Sequence, residues 1–102
     1  MANRYEVTRA AELCALLCER PPVFPIARGD PVRPLALGTL KALAPLARPE
    51  ITPEQLKQAL SAYCLGLGYL LAQGRSDAWR YDLAGRPVEP VSEEHRKGFD
   101  KV

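Results

Sequence analysis

The sequence predicts an α+β, mainly α-helical domain in which a small β-hairpin precedes the last helix. Three observations carry that class: apolar residues at helical spacing from Val7 to Cys18, a full set of helix-start signals at Ile51 to Leu56, and two short extended runs flanking Ala84-Gly85-Arg86. The chain of 102 residues is 47% hydrophobic and 25% charged, the make-up of a single globular domain spanning residues 1–102. A chain of this size buries about two-thirds of its unfolded surface, so a core forms without metal or disulfide support.

Val7, Ala10, Leu13, Cys14, Leu17 and Cys18 define a first helix over Val7 to Arg20, which Pro21-Pro22 stops. Residues 21–34 hold five of the ten prolines and Gly29-Asp30, and read as a loop pinned to the core by Val23, Phe24 and Ile26. A short apolar helix follows Pro34, with Leu37, Leu40 and Leu43 or Leu46 facing inward, a bend near Gly38 or Thr39, and a break near Pro45. At the next boundary Thr52 is the N-cap, Pro53 suits the first helical position, Gln55 completes a capping box, and Ile51 with Leu56 forms a hydrophobic staple. Leu56, Ala59, Leu60, Tyr63 and Cys64 make its apolar stripe, and Gly66 with Gly68 predicts a change of axis before Tyr69-Leu70-Leu71. Trp79 to Leu83 and Val88 to Val91 read as the hairpin strands, with Gly85 supplying positive φ and Pro87 and Pro90 confining the second strand to an edge. Ser92 caps a last polar helix that runs to about Lys101, with Glu93 and Glu94 placed to suit its dipole.

No apolar run approaches the roughly 18 residues of a membrane span, and the mixed charges of the first six residues are unlike a secretory signal. A cytoplasmic protein with no membrane contact is expected. Three cysteines, an odd count, read as reduced thiols. Cys14 and Cys18, with Cys64 and His95, have the residue types of a zinc site, but the first two lie on the apolar stripe and read as core packing, with no metal. His95 reads as a surface residue in the first turn of the last helix. There is no Gly-rich phosphate loop, nucleophile elbow or framed carboxylate pair, which argues against an enzyme, a cofactor or a small-molecule substrate. The net charge of +2 is unevenly spread: residues 1–48 carry seven basic and four acidic side chains, residues 49–102 seven and eight. A nucleic-acid site therefore requires the fold to gather a few cations.

Five pieces of the chain, in order and at similar spacing, resemble the ProQ/FinO domain: Arg33-Pro34-Leu35-Ala36-Leu37-Gly38, Ile51 to Leu60, Tyr63 with Tyr69-Leu70, Arg80 to Gly85, and Val91-Ser92-Glu93-Glu94-His95. The resemblance implies a mainly helical fold of about five helices with a small β-hairpin before the last. It also implies a non-catalytic RNA-binding protein, an RNA chaperone that recognises structured RNA and above all the base of a terminator hairpin with its single-stranded 3′ tail. By that resemblance Tyr69 and Arg80 form the pocket for the 3′-terminal nucleotides, Arg33, Lys41 and Lys57 contact phosphates, and the helix N-terminus at Thr52-Pro53-Glu54 lies near the RNA. It further implies post-transcriptional regulation through small RNAs, and a monomer is expected. The chain departs from the pattern where Ala36, Pro53, Ser61 and Gly68 stand at positions often basic in relatives. One extra residue between Tyr69 and Arg80 leaves Arg75 as an alternative to Arg80.

Read from the residues alone, Tyr69 beside Leu70-Leu71 is a core residue, and Arg80 pairs with Asp82 or Glu89. Lys41 and Lys57 fit a solvated helix face as well as a phosphate contact. The competing function is a non-catalytic protein-interaction module, in which the apolar helix and the Pro-rich loop dock a partner and Trp79 anchors it.

Overall fold

Asn3 and Glu6 open α1 (Arg4–Ala15) with a reciprocal capping box, in which the Asn3 side chain accepts from the backbone N–H of Tyr5 and Glu6, and Glu6 accepts from that of Asn3. The computed structural model describes residues 1–97. The capping box starts the helix three residues before its apolar spacing predicts. It also ends sooner than Arg20, because another segment takes over its last carbonyls: Arg48 donates from its backbone to Leu16 O and from Nε to Ala15 O, and the Cys18 N–H donates to Leu46 O. Leu17 and Ala47 form an isolated antiparallel bridge there. Cys18, expected on the apolar stripe, is exposed in consequence, while Cys14 is half-buried.

In the proline-rich loop Val23 and Phe24 are buried, but Ile26 is 69% exposed, so two residues pin the loop instead of three. The Asp30 carboxylate folds the remainder by accepting from the N–H groups of Ala27 and Ile26, and these bonds hold its carboxyl below the usual carboxylate range.

After Pro34 the chain is extended where a helix is predicted. Leu35 bridges Tyr81 in parallel, Tyr81 N–H donates to Pro34 O (2.8 Å), and Ala36 N–H donates to Tyr81 O (2.9 Å). Gly38, at φ +83°, then turns the chain into α2 (Thr39–Leu43) and a 3-10 turn at Ala44–Leu46. This delay leaves Leu37 63% exposed, not inward as its spacing suggests, whereas Leu43 is fully buried.

α3 (Pro53–Cys64) has the predicted boundary and both halves of the Thr52–Gln55 capping box. The axis changes at Gly66, and α4 (Leu67–Gly74) begins against α1: the Glu6 carboxylate, fully buried, accepts from the Gly68 N–H at 3.3 Å. Tyr63 lies at the centre of the core, edge-on to Phe24 (5.3 Å between ring centres) and to Tyr69 (5.7 Å), with Leu13, Leu17, Val23 and Leu43 around it.

β1 (Trp79–Tyr81) and β2 (Pro87–Pro90) pair antiparallel with Arg80 opposite Glu89. β1 stops two residues short of Leu83 because Asp82 is recruited to the turn. Its carboxylate accepts from the N–H of Ala84 and of Arg86 and from Arg86 Nε, and Gly85 sits at φ +84°. Ser92 accepts from the His95 N–H at the start of α5 (Glu93–Lys97), and the continuation predicted to Lys101 lies outside the described residues.

Candidate nucleic-acid interface

The extended stretch at residues 34–36 brings two of the six predicted site residues together on the backbone of one residue, Leu35, with a third, Arg33, just before it in the chain. Tyr69, on α4, accepts the Leu35 N–H on its phenolic oxygen at 2.9 Å, and Arg80, on β1, donates from Nη1 to the Leu35 carbonyl at 2.8 Å. Both side chains are buried, Tyr69 being 4% and Arg80 6% exposed. The tyrosine is thus a core residue, as its apolar neighbours suggest, and it also holds the strand-like segment that Arg80 grips from the other side. Arg33, two residues earlier, is half-buried with its guanidinium 5.6 Å from the centre of the Tyr81 ring. The alternative, Arg75, is elsewhere: it lies just past the end of α4 in an exposed pair with Asp77 at 3.7 Å. Arg80 is the arginine that meets Tyr69 at Leu35.

Arg80 makes one more bond, from Nη2 to His95 Nδ1 at 2.9 Å. A guanidinium only donates, so Nδ1 is the unprotonated nitrogen of the ring. His95 itself is fixed by Gln73, whose amide donates to its carbonyl at 2.9 Å. Reading the chain locally misses this role, since the partners lie on three elements and their only sequence signal is a histidine in the first turn after the hairpin. Among the described residues no carboxylate lies within ion-pair distance of Arg80, although Glu89 stands opposite it in the hairpin and Asp82 is two residues on.

Lys41 and Thr52 form a second group. Together with Leu40, Ile51, Pro53 and Leu56 they line a mainly apolar cavity of about 270 Å3 between α2 and the start of α3. Lys57 is exposed one turn along α3. The α3 N-terminus has less to offer an anion than its sequence suggests. Thr52 Oγ1 already accepts from Gln55 N–H, Gln55 Oε1 accepts from Thr52 N–H, and Pro53 has no N–H, which leaves the Glu54 N–H beside an acidic side chain. The six residues therefore fall into three groups: Tyr69 and Arg80 bond Leu35, Arg33 lies against the Tyr81 ring, and the two lysines with Thr52 sit around α3.

Burial sets the chemistry of the thiols near this network. Desolvation raises the Tyr69 phenol, and the Cys64 thiol, which accepts from that hydroxyl, is pushed up to about 11, mainly by burial. Cys14 is raised by the same cause, opposed by Arg20. A raised thiol has less of the reactive thiolate at neutral pH, and of the three cysteines Cys18 alone is exposed. Iodoacetamide at pH 8 therefore modifies Cys18 first, with Cys64 at least about tenfold slower. Equal rates by peptide mass mapping would show the α3–α4 seam to be open.

Among the described residues no three or more His, Cys, Asp or Glu side chains are grouped to hold a metal ion, and no helix is long and apolar enough to cross a membrane. The sequence matches the ProQ/FINO family over residues 7–101, nearly the whole chain. The chain belongs to the ProQ/FINO family. The mainly helical architecture with a two-stranded hairpin before the last described helix is that of an α+β ProQ/FINO-like fold. The family is a non-catalytic, RNA-binding one, and membership supports an RNA-binding and RNA-chaperone role in general. No curated protein sequence matches the chain.

Proposed function

We propose that this ProQ/FINO domain binds the 3′ end of structured RNA, at the base of a terminator-type hairpin and its single-stranded tail, and serves post-transcriptional regulation by small RNAs. The observation that carries the reading is Arg80: a buried guanidinium that, among the described residues, is held by a carbonyl and an imidazole and by no carboxylate. A buried charge without a counter-ion is costly, and a phosphate entering beside His95 supplies one. In this reading Tyr69 acts through Leu35, presenting the segment next to Arg33, while Lys41 and Lys57 meet phosphates of the stem and Thr52 adds only its hydroxyl proton.

An A-form stem hides its base edges in a deep, narrow groove, so a protein of this size reads shape, phosphates and 2′-hydroxyls together with the unpaired end. Four engaged cations predict that affinity for such a hairpin falls about 50- to 150-fold from 50 to 200 mM salt, as counter-ions are released. Removing the 3′ tail lowers affinity more than changing the stem sequence does. Filter binding or anisotropy over that salt range decides it: equal sensitivity to stem sequence contradicts readout of shape and end. A flat salt response favours the protein-docking alternative, for which the exposed Leu37 and Ile26 are the available apolar contacts.

A further inference from the structure

Along β1 Arg80 is buried between an exposed Trp79 and a half-buried Tyr81, with a register shift between Arg80 and Tyr81, and the two aromatic residues line a cavity that Arg80 does not. Trp79 and Tyr81 line a cavity of about 300 Å3 between the hairpin and α4, with Arg33, Arg75, Ala72 and Ala78 on its other walls. We propose that this groove is a second RNA subsite, taking one nucleotide of a single strand with its base on Trp79 and its phosphate between Arg33 and Arg75. The inference rests on the RNA-binding reading above and adds a contact surface that Arg80 does not line.

Six features support it. Trp79 is 45% exposed in a molecule that buries Phe24, Tyr63 and Tyr69, and an open indole face stacks on any base. Tyr81 already holds the Arg33 guanidinium at the cavity wall, 5.6 Å from its ring centre. Among the described residues Arg75 pairs only with Asp77, at 3.7 Å with the two side chains 73% and 80% exposed, and a pair so long and open yields readily to a phosphate. Against Asp77 and the partial negative charge at the C-terminal end of α4, two full guanidinium charges leave the groove positive. The volume stands at the small end of ligand sites, about 300–1,000 Å3, which admits one nucleotide and not a duplex. The groove also continues past Arg75 and Ala72 into a neighbouring cavity of about 450 Å3 lined by Met1, Gly29 and Leu71, which gives the strand a way out.

Trp79 is the only tryptophan in the chain, so its intrinsic emission reports on this groove directly. The test pairs two signals on the full chain: Trp79 emission, and anisotropy of a labelled terminator hairpin carrying a four-nucleotide 3′ tail. The expected result is a change in Trp79 emission that saturates with hairpin binding and also appears with the single-stranded tail alone. Trp79→Ala weakens hairpin binding about fivefold, Trp79→Phe restores most of it, and Arg33→Ala combined with Arg75→Ala weakens it at least as much as Trp79→Ala. Hairpin binding with unmoved Trp79 emission and an unaffected Trp79→Ala variant overturns the subsite and leaves the RNA reading standing. No hairpin binding by anisotropy overturns the RNA reading itself, and the subsite with it.

Discussion

Gly68→Ala is expected to cost about 2–4 kcal/mol of stability, lowering the melting temperature by about 10 °C or more in a domain of this size. A β-carbon at Gly68 would fall on the Glu6 carboxylate, against Oε1 and within 2.8 Å of Cδ. Glu6 has nowhere to move, being fully buried and bonded to the N–H groups of Asn3 at 3.0 Å and Gly68 at 3.3 Å. Either the carboxylate gives up those bonds inside the protein or α4 shifts away from α1. Gly66 is closed by the same carboxylate and by the Tyr5 ring, 2.8 Å from where its β-carbon would lie. Glu6→Ala destabilises too, because it empties a buried site and takes the acceptor from the Asn3 and Gly68 N–H groups. The double variant Glu6→Ala/Gly68→Ala should then be clearly more stable than the sum of the singles, since the added methyl occupies the space the carboxylate has left. Additive losses in thermal or urea unfolding would show that the two sites do not share this contact. The same packing accounts for the glycine at position 68, which admits the carboxylate that accepts from the first turn of α4.

The boundary that was fully legible in the sequence, the start of α3, is written locally, with Thr52, Pro53, Gln55 and the Ile51–Leu56 pair all within six residues. The boundaries that were misjudged are set by distant chain. α1 ends where Arg48 takes the Ala15 and Leu16 carbonyls and Leu46 O takes the Cys18 N–H, and the helix expected after Pro34 is delayed because Tyr81 holds residues 34–36 extended. Neither signal is present in the periodicity of its own segment. The start of α1 was legible but overlooked: Asn3 followed by Glu6 is a capping-box pattern, hidden behind an apolar stripe that begins at Val7. For the site, the residues alone placed Tyr69 in the core and the resemblance placed it with Arg80, and the Leu35 peptide reconciles the two by bonding both. The part played by His95 depends on α5 folding back on α4, which no spacing along the chain encodes.

The burial of Arg80 means that Arg80→Ala is a poor test of RNA contact, because it also strips the donor from a buried Leu35 carbonyl and from His95 Nδ1. Arg80→Gln separates the two roles, since its amide can still donate to Leu35 O while carrying no charge. If the guanidinium meets a phosphate, Arg80→Gln lowers the affinity for a tailed hairpin by about 1.5–3 kcal/mol, roughly tenfold to a hundredfold, and reduces the salt slope by about one. Its melting temperature should stay within a few degrees of the parent, whereas that of Arg80→Ala drops further. Tyr69→Phe supplies the complementary case. It deletes the oxygen that accepts from Leu35 N–H but removes no charge, so it weakens binding through a looser Leu35 segment and leaves the salt slope unchanged. A steep salt slope in Arg80→Gln equal to that of the parent, with equal affinity, assigns the arginine to the fold alone. The charge that attracts the RNA terminus must then come from Arg33 and the lysines around α3.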